Sequence, residues 1–195
     1  MRTANIKRDT RETQIQLTLN LDGTGRSGVS TGVGFLDHML ELFARHGDFD
    51  LDLTCRGDTQ VDFHHSVEDS GICLGRAFAE ALGDKRGIIR YGQFLLPMDE
   101  TLVLCAVDLS GRDYLGWAVD LPARKVGDFD TELAKEFWLG FVRNCPGSIH
   151  IRQLAGENTH HILEAVFKGM GRALKMAAAP DEKHRDEIPS TKGVL

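Results

Sequence analysis

The sequence has no apolar run approaching the ~18–20 residues that a membrane-spanning helix needs. Its first residues, MRTANIKRDTRET, contain no apolar core, so no secretory signal is expected and the expected compartment is the cytoplasm. There is no C-x-x-C pair. Cys55, Cys73, Cys105 and Cys145 lie far apart, which disfavours a cysteine-built zinc site and points to reduced, mostly buried thiols. There is also no block of like charge and no basic excess. A net charge of −6 disfavours nucleic acid as the main partner, because a phosphate backbone needs a basic surface; a local cluster can still bind one small phosphate. What is present is 195 residues, 42% hydrophobic and 27% charged, ordinary for a soluble globular protein of one large domain or two small, intimately packed ones.

The chain repeats itself. ETQIQLTLNLDG (12–23) matches ETLVLCAVDLSG (100–111): both begin Glu-Thr, alternate apolar residues as a strand does, and end at a glycine turn. HMLELFARH (38–46) matches EFWLGFVRN (136–144), pairing Phe43 with Phe141 and Arg45 with Arg143 at helical apolar spacing. DLDLTCRGD (50–58) aligns with HIRQLAGEN (150–158), each a strand running into a turn. HHSVEDSGICLGRAF (64–78) matches HHILEAVFKGMGRAL (160–174), sharing His-His, Glu and Gly-Arg-Ala. Four matches in one order are best explained by duplication and fusion. The expected organisation is a first half over 1–93, a second over 94–180 and a polar, irregular tail over 181–195, acting together as a single domain.

The repeated motif His-His-x-x-Glu carries the chemistry. Residues three and four apart share a helix face, so Glu68 lies beside His64 and His65, and Glu164 beside His160 and His161. Adjacent histidines diverge by about 100°, so one ion is not expected to take both from one helix. Two such helices brought together would hold two ions, each taking one histidine from each helix. Imidazole with carboxylate, and no cysteine, suits Mn, Fe or Zn at a catalytic site. A single pair of surface histidines is commonly idle; the repetition at matched positions is what argues for metal. His38 aligns with Glu136, and both residue types coordinate, so each is a further candidate ligand. His46, His150 and His184 have no matched partner and read as structural or surface residues.

GFLDHMLELFARHG, DFHHSVEDSGICLG, RYG, GENTHHILEAVFKGMGRALK and the terminal PSTKGVL together resemble the imidazoleglycerol-phosphate dehydratase family, over essentially the whole chain. The resemblance implies an α+β fold built from a duplicated α/β unit, two β-sheets with helices packed between them, of the ribosomal protein S5 domain 2-like type. It implies a dehydratase of histidine biosynthesis that converts imidazole glycerol phosphate to imidazole acetol phosphate. It also implies two Mn²⁺ per subunit and a large homo-oligomer, a 24-mer built from trimers, with the metal at subunit contacts. The ligands carried over are His38, His64, His65, Glu68, His160, His161 and Glu164; at the eighth position this chain has Glu136 where several relatives have histidine. Glu12 matches the carboxylate near the reacting carbons, Arg90, Arg112, Lys168, Ser190 and Lys192 match the substrate's phosphate-binding group, and Thr191 between the last two is a further substrate-binding candidate. Arginine, lysine and hydroxyl side chains are what a phosphate dianion requires.

The reaction removes a hydroxyl from one carbon and a proton from a neighbour that no carbonyl activates. The ring must supply the activation. A metal on each ring nitrogen would favour the imidazolate, which expels the hydroxyl to give a diazafulvene; loss of the carbon-bound proton then gives an enol and the ketone. Glu12 is the expected proton shuttle, and its repeat partner Glu100 is a weaker candidate. A dinuclear metallohydrolase of a phosphate ester shares the metal and phosphate features and is the alternative. A metal-storage protein would share the metal ligands but give Arg90, Arg112 and Lys192 no role.

Overall fold

Strand-period alternation shapes β2 (Thr13–Asn20), which buries Ile15, Leu17 and Leu19 and exposes Gln14, Gln16 and Thr18. The same alternation recurs in β6 (Thr101–Asp108), with Val103, Cys105 and Val107 inward. In the computed structural model, which describes residues 1–195, each of these strands is central to a four-stranded sheet. The first half runs β1 (Thr3–Asp9), β2, β3 (Ser27–Ser30), α1 (Gly34–Gly47), β4 (Asp50–Gly57) and α2 (His64–Leu82). The second runs β5 (Tyr91–Met98), β6, β7 (Tyr114–Ala118), a hairpin of β8 (Lys125–Val126) and β9 (Phe129–Asp130), then α3 (Leu133–Asn144), β10 (Ser148–Ala155) and α4 (Thr159–Ala178). Sheet orders are β1-β2-β4-β3 and β5-β6-β10-β7, the same order in both halves; β3 on β4 and β7 on β10 are the parallel pairs. The fold is α+β with a duplicated unit.

Register corrects one sequence alignment. Asp50 faces Asn20, and Ser148 faces Asp108. The structural partner of Asp50 is therefore Ser148, not His150. A slip of two residues leaves every side chain on its own face, so alternation alone does not detect it. A register shift between Gln153 and Ala155 then adds one residue before the turn.

The helices lie between the sheets and cross between halves. α1 packs on α4, and α2 on α3. Their meeting faces form one aromatic core of Phe43, Phe49, Phe78, Phe137, Trp138, Phe141 and Phe167. Contact is close because glycines line the crossings. A Cβ at Gly71 would sit 2.2 Å from the Phe137 carbonyl oxygen, and one at Gly171 would sit 2.6 Å from that of Phe43. Leu-sized side chains there would hold the helices apart. The tail from Asp181 has no strand or helix beyond Ala178 and is tied to the body by backbone bonds between Asp181 and Gly87 and between Gly87 and Glu187.

Candidate active site

The N-terminus of α4 is fixed by Asn158, whose side-chain oxygen accepts from the backbone N–H groups of His160 at 2.9 Å and His161 at 3.4 Å. Four residues on, Glu164 shares a face with His160, and their Nε2 and Oε1 atoms are 3.2 Å apart. His38 arrives on α1 from the other half, with Nε2 2.7 Å from the same Oε1. The three ligand atoms all lie within 4.8 Å of one another. Phe35 packs edge-on against His160, and Phe129 of the inserted hairpin packs on Phe35, so the insertion braces this cluster. Burial pushes the Glu164 carboxyl up, but hydrogen bonds from Lys168, His38 and His160 outweigh it and bring it down to about 2. Glu164 is thus an anion at neutral pH.

The matched cluster at α2 is more open. His64 Nε2 is 3.7 Å from Glu68, and the matched donors His64, Glu68 and Glu136 form no close group of three within the chain as His38, His160 and Glu164 do. The expectation of one histidine from each tandem helix is not met within a chain, because α2 and α4 each pack on a helix of the opposite half. The second histidine of each motif turns to a different carboxylate. His65 Nδ1 is 3.0 Å from Asp58, and His161 Nδ1 is 2.8 Å from Glu100; each carboxylate raises its histidine's pKa. Glu12 is exposed, 3.7 Å from His65 Nε2.

At the far end of the molecule lies a cavity of about 680 Å³, lined by Arg90, Ser110, Arg112, Ser190, Thr191 and Lys192 among others. Arg90 has a left-handed backbone (φ 72°), with its N–H on the Ala177 carbonyl. Its guanidinium donates to both Asp108 oxygens, at 2.7 and 3.2 Å, and to the Pro189 carbonyl at 2.7 Å, which ties the tail to the second sheet. Arg112 is exposed. Lys168, expected in this group, is elsewhere: its Nζ is 2.6 Å from Glu164 Oε2, where charge attraction holds it one helical turn from the carboxylate. Ser110, Asp58 and Asn158 were not singled out by the sequence, where a small polar residue beside a glycine or a turn reads as a loop former.

Two rulers measure the separation of the ends. From His160 to Ala177 along α4 is about 26 Å at the rise of a helix. From Glu100 to Asp108 along β6 is again about 26 Å at the rise of a strand. Arg2, at the start of β1, donates to the Ala178 carbonyl, so Glu12, beyond the opposite end of β1, is also at the far end from Arg90.

Residues 31–174 match the family model for imidazoleglycerol-phosphate dehydratase. The chain is 59% identical over 194 residues to the imidazoleglycerol-phosphate dehydratase of Pelobacter propionicus, covering 100% of this chain and 99% of the relative. To that of Methylorubrum extorquens it is 54% identical over 195 residues, covering 100% of both. The crystal structure of the Staphylococcus aureus imidazoleglycerol-phosphate dehydratase superposes with a TM-score of 0.84 at 41% identity, covering 91% of this chain and 98% of that one. That of the Pyrococcus furiosus enzyme gives 0.85 at 39%, covering 97% and 100%. The chain belongs to the imidazoleglycerol-phosphate dehydratase family.

The imidazoleglycerol-phosphate dehydratase family is one of hydro-lyases of histidine biosynthesis, and this chain is such an enzyme. The span matched by the imidazoleglycerol-phosphate dehydratase model contains His38, both tandem motifs, Glu136, Arg90 and Arg112. Glu12 and the tail residues Ser190, Thr191 and Lys192 lie outside it, within the full-length alignment to the relatives. No helix is long and apolar enough to cross a membrane.

Proposed function

We propose that the chain converts imidazole glycerol phosphate to imidazole acetol phosphate and water, with two Mn²⁺ per chain. The observation that carries this reading is the convergence of His38, His160 and Glu164 from opposite halves. Two imidazoles and a carboxylate, without cysteine, fit a divalent Mn, Fe or Zn ion and leave positions open for substrate. His64, Glu68 and Glu136 are the matched donors for a second ion. His65 and His161 keep Nε2 for coordination because their Nδ1 atoms are engaged. When bound, such ions favour the imidazolate form of the substrate ring and so the departure of the neighbouring hydroxyl.

The chain's own residues do the rest. Arg112, Lys192 and the unspent donors of Arg90 neutralise the phosphate dianion, and the hydroxyls of Ser190 and Thr191 donate hydrogen bonds to its oxygens. Glu12 acts as base on the proton of the second glycerol carbon, next to the carbon beside the ring that loses its hydroxyl, or as acid to that departing hydroxyl. Lys168 holds one oxygen of Glu164 and leaves the other facing the two histidines.

These two ends act on one substrate only if two chains supply them. With bonds of about 1.5 Å, the phosphorus of a ring-bearing glycerol phosphate lies within roughly 8 Å of the ring, against the ~26 Å that separates the ends of α4. Self-assembly is therefore part of the proposal, and a large homo-oligomer of trimers is its expected form. The outer faces of the two sheets support it. The first carries Lys7, Gln14, Gln16, Thr18 and Thr54, whereas the second carries Leu95, Leu104, Ala106, Tyr114 and Leu154.

The test is incubation of Mn-loaded protein with imidazole glycerol phosphate. The ketone is expected, without inorganic phosphate. Phosphate release without ketone would turn the reading to a metallohydrolase. No product from folded, metal-loaded protein would sink it.

A further inference from the structure

The duplicated halves treat matched carboxylates differently, and the difference has a local cause. Glu12 and Glu100 each sit one residue before their central strand, and His65 and His161 are the matched second histidines. Glu100 is fully committed. It accepts from His161 Nδ1 at 2.8 Å, from the backbone N–H of Asn158 at 2.9 Å and Glu157 at 3.3 Å, and from the Thr101 hydroxyl at 3.0 Å. The Glu12 carboxylate makes no hydrogen bond, and its nearest cation partner is His65 Nε2 at 3.7 Å. In its stead Asp58 receives His65 Nδ1, with both oxygens at 3.0–3.1 Å.

The place of Asp58 in the second half is taken by Glu157. Gly57 pairs with Thr13, Gly156 lies against the matched Thr101, and the two carboxylate residues follow those glycines. Glu157 is exposed and engages only through its backbone N–H, which donates to Glu100. The backbone N–H of Asp58 donates at 3.1 Å to the Glu12 carbonyl, so Asp58 and Glu12 are neighbours that could each serve the same histidine. Where the short carboxylate is supplied after the glycine, the strand-end glutamate is free. Where it is not, the strand-end glutamate is consumed.

We propose, resting on the dehydratase reading above, that Asp58 is a positioning residue that keeps Glu12 available to the substrate. By taking Nδ1 of His65, it both orients that ring with Nε2 outward and prevents Glu12 from being captured as Glu100 is. Glu100 is then the positioning residue of His161 and takes no part in proton transfer. A short side chain suits the task, because Asp58 reaches the ring from the turn itself without crossing the space in front of Glu12.

The test uses the assembled, metal-loaded enzyme with Asp58→Ala and Asp58→Asn. The asparagine keeps an acceptor oxygen for Nδ1–H and is expected to stay within about threefold of the parent kcat. The alanine is expected to lose about 10–100-fold in kcat, the usual cost of removing a partner behind a metal-binding histidine, with KM for the substrate and the melting temperature unchanged. A crystal structure of Asp58→Ala should show the Glu12 carboxylate within hydrogen-bond distance of His65 Nδ1. That readout is independent of turnover, so it separates failure of this proposal from failure of the dehydratase reading. Asp58→Ala with parental kcat, equal losses in both variants, or Glu12 unmoved in the alanine structure would overturn the proposal. Should Asp58→Ala not fold, Asp58→Ser carries the same comparison.

Discussion

Two chains that are each inactive should make an active enzyme together. One carries Glu12→Gln, which removes the proton shuttle and leaves the phosphate pocket intact. The other carries Arg112→Ala with Lys192→Met, which strips the exposed cations from the pocket and leaves the metal end intact. Charge-assisted hydrogen bonds of this kind contribute about 1.5–3 kcal/mol each. Losing two lowers kcat/KM by at least roughly a hundredfold at about 1.4 kcal/mol per factor of ten. Neither chain alone has a whole site. The ~26 Å between the ends of α4 requires, on our reading, that every site combine the Glu12 end of one chain with the pocket of another. In random one-to-one co-assembly of a homo-oligomer, an intact Glu12 end meets an intact pocket in about a quarter of the sites.

The assay is turnover at low substrate by oligomers carrying a different affinity tag on each chain, purified through both tags in succession. About a quarter of the parental kcat/KM is expected. Activity that stays at the sum of the two lesions, in oligomers shown to contain both chains, would refute the shared site. It would mean that Glu12 and the pocket of one chain serve the same substrate.

Three further outcomes are expected. Glu136→Ala should lower bound metal, measured by elemental analysis, if that residue coordinates, whereas unchanged metal content would remove it from the ligand set. Gly71→Ala should destabilise the fold. Helix propensity returns about 1 kcal/mol, but a Cβ 2.2 Å from the Phe137 carbonyl forces α2 off α3, at a cost of about 2–3 kcal/mol. The net loss lowers the melting temperature by about 2–8 °C at about 2–4 °C per kcal/mol. Gly34→Ala, with no atom within 4 Å of the added carbon, is the control and should leave the melting temperature unchanged or slightly raised. Burial pushes the Cys73 and Cys145 thiols up to about 12 and Cys105 higher still, so native protein at pH 8 should resist iodoacetamide until it is unfolded. Rapid alkylation of Cys145 in folded protein would contradict its burial.

Much of this architecture was legible because duplication writes each element twice. The Glu-Thr pairs at the starts of the two central strands and the twin histidine helices mark the same order of strands and helices in both halves of the sequence. What alternation does not carry is register to better than two residues, and there the sequence sets Asp50 against His150 where the structure sets it against Ser148. The hairpin of β8 and β9 is four residues of strand in all, too short for a periodic signal. Helix pairing was hidden for a different reason. Nothing in the apolar spacing of α4 says whether its partner is α2 or α1; the close approach depends on Gly171 meeting the backbone at Phe43, a contact between residues far apart in the chain.

The same limit governs the site. His38, His160 and Glu164 are all candidates in the sequence, but their grouping within one chain follows from the crossing of α1 and α4, which apolar spacing does not reveal; pairing the two tandem motifs requires a second chain. Lys168 is grouped with the phosphate ligands by the family resemblance alone; within one chain it lies four residues after Glu164 and pairs with that carboxylate, a contact that helical spacing already allows. Asp58 escaped notice because an aspartate after a glycine is an ordinary turn former. Its meaning appears only beside Glu157, which occupies the matched turn and leaves Glu100 to do the same work. A duplicated frame thus supplies a control within the molecule. Where matched residues keep matched partners, as Gly75 does against the Phe141 carbonyl and Gly171 against that of Phe43, packing explains them. Where matched residues change partners, as Glu12 and Glu100 do, the two halves have been given different tasks.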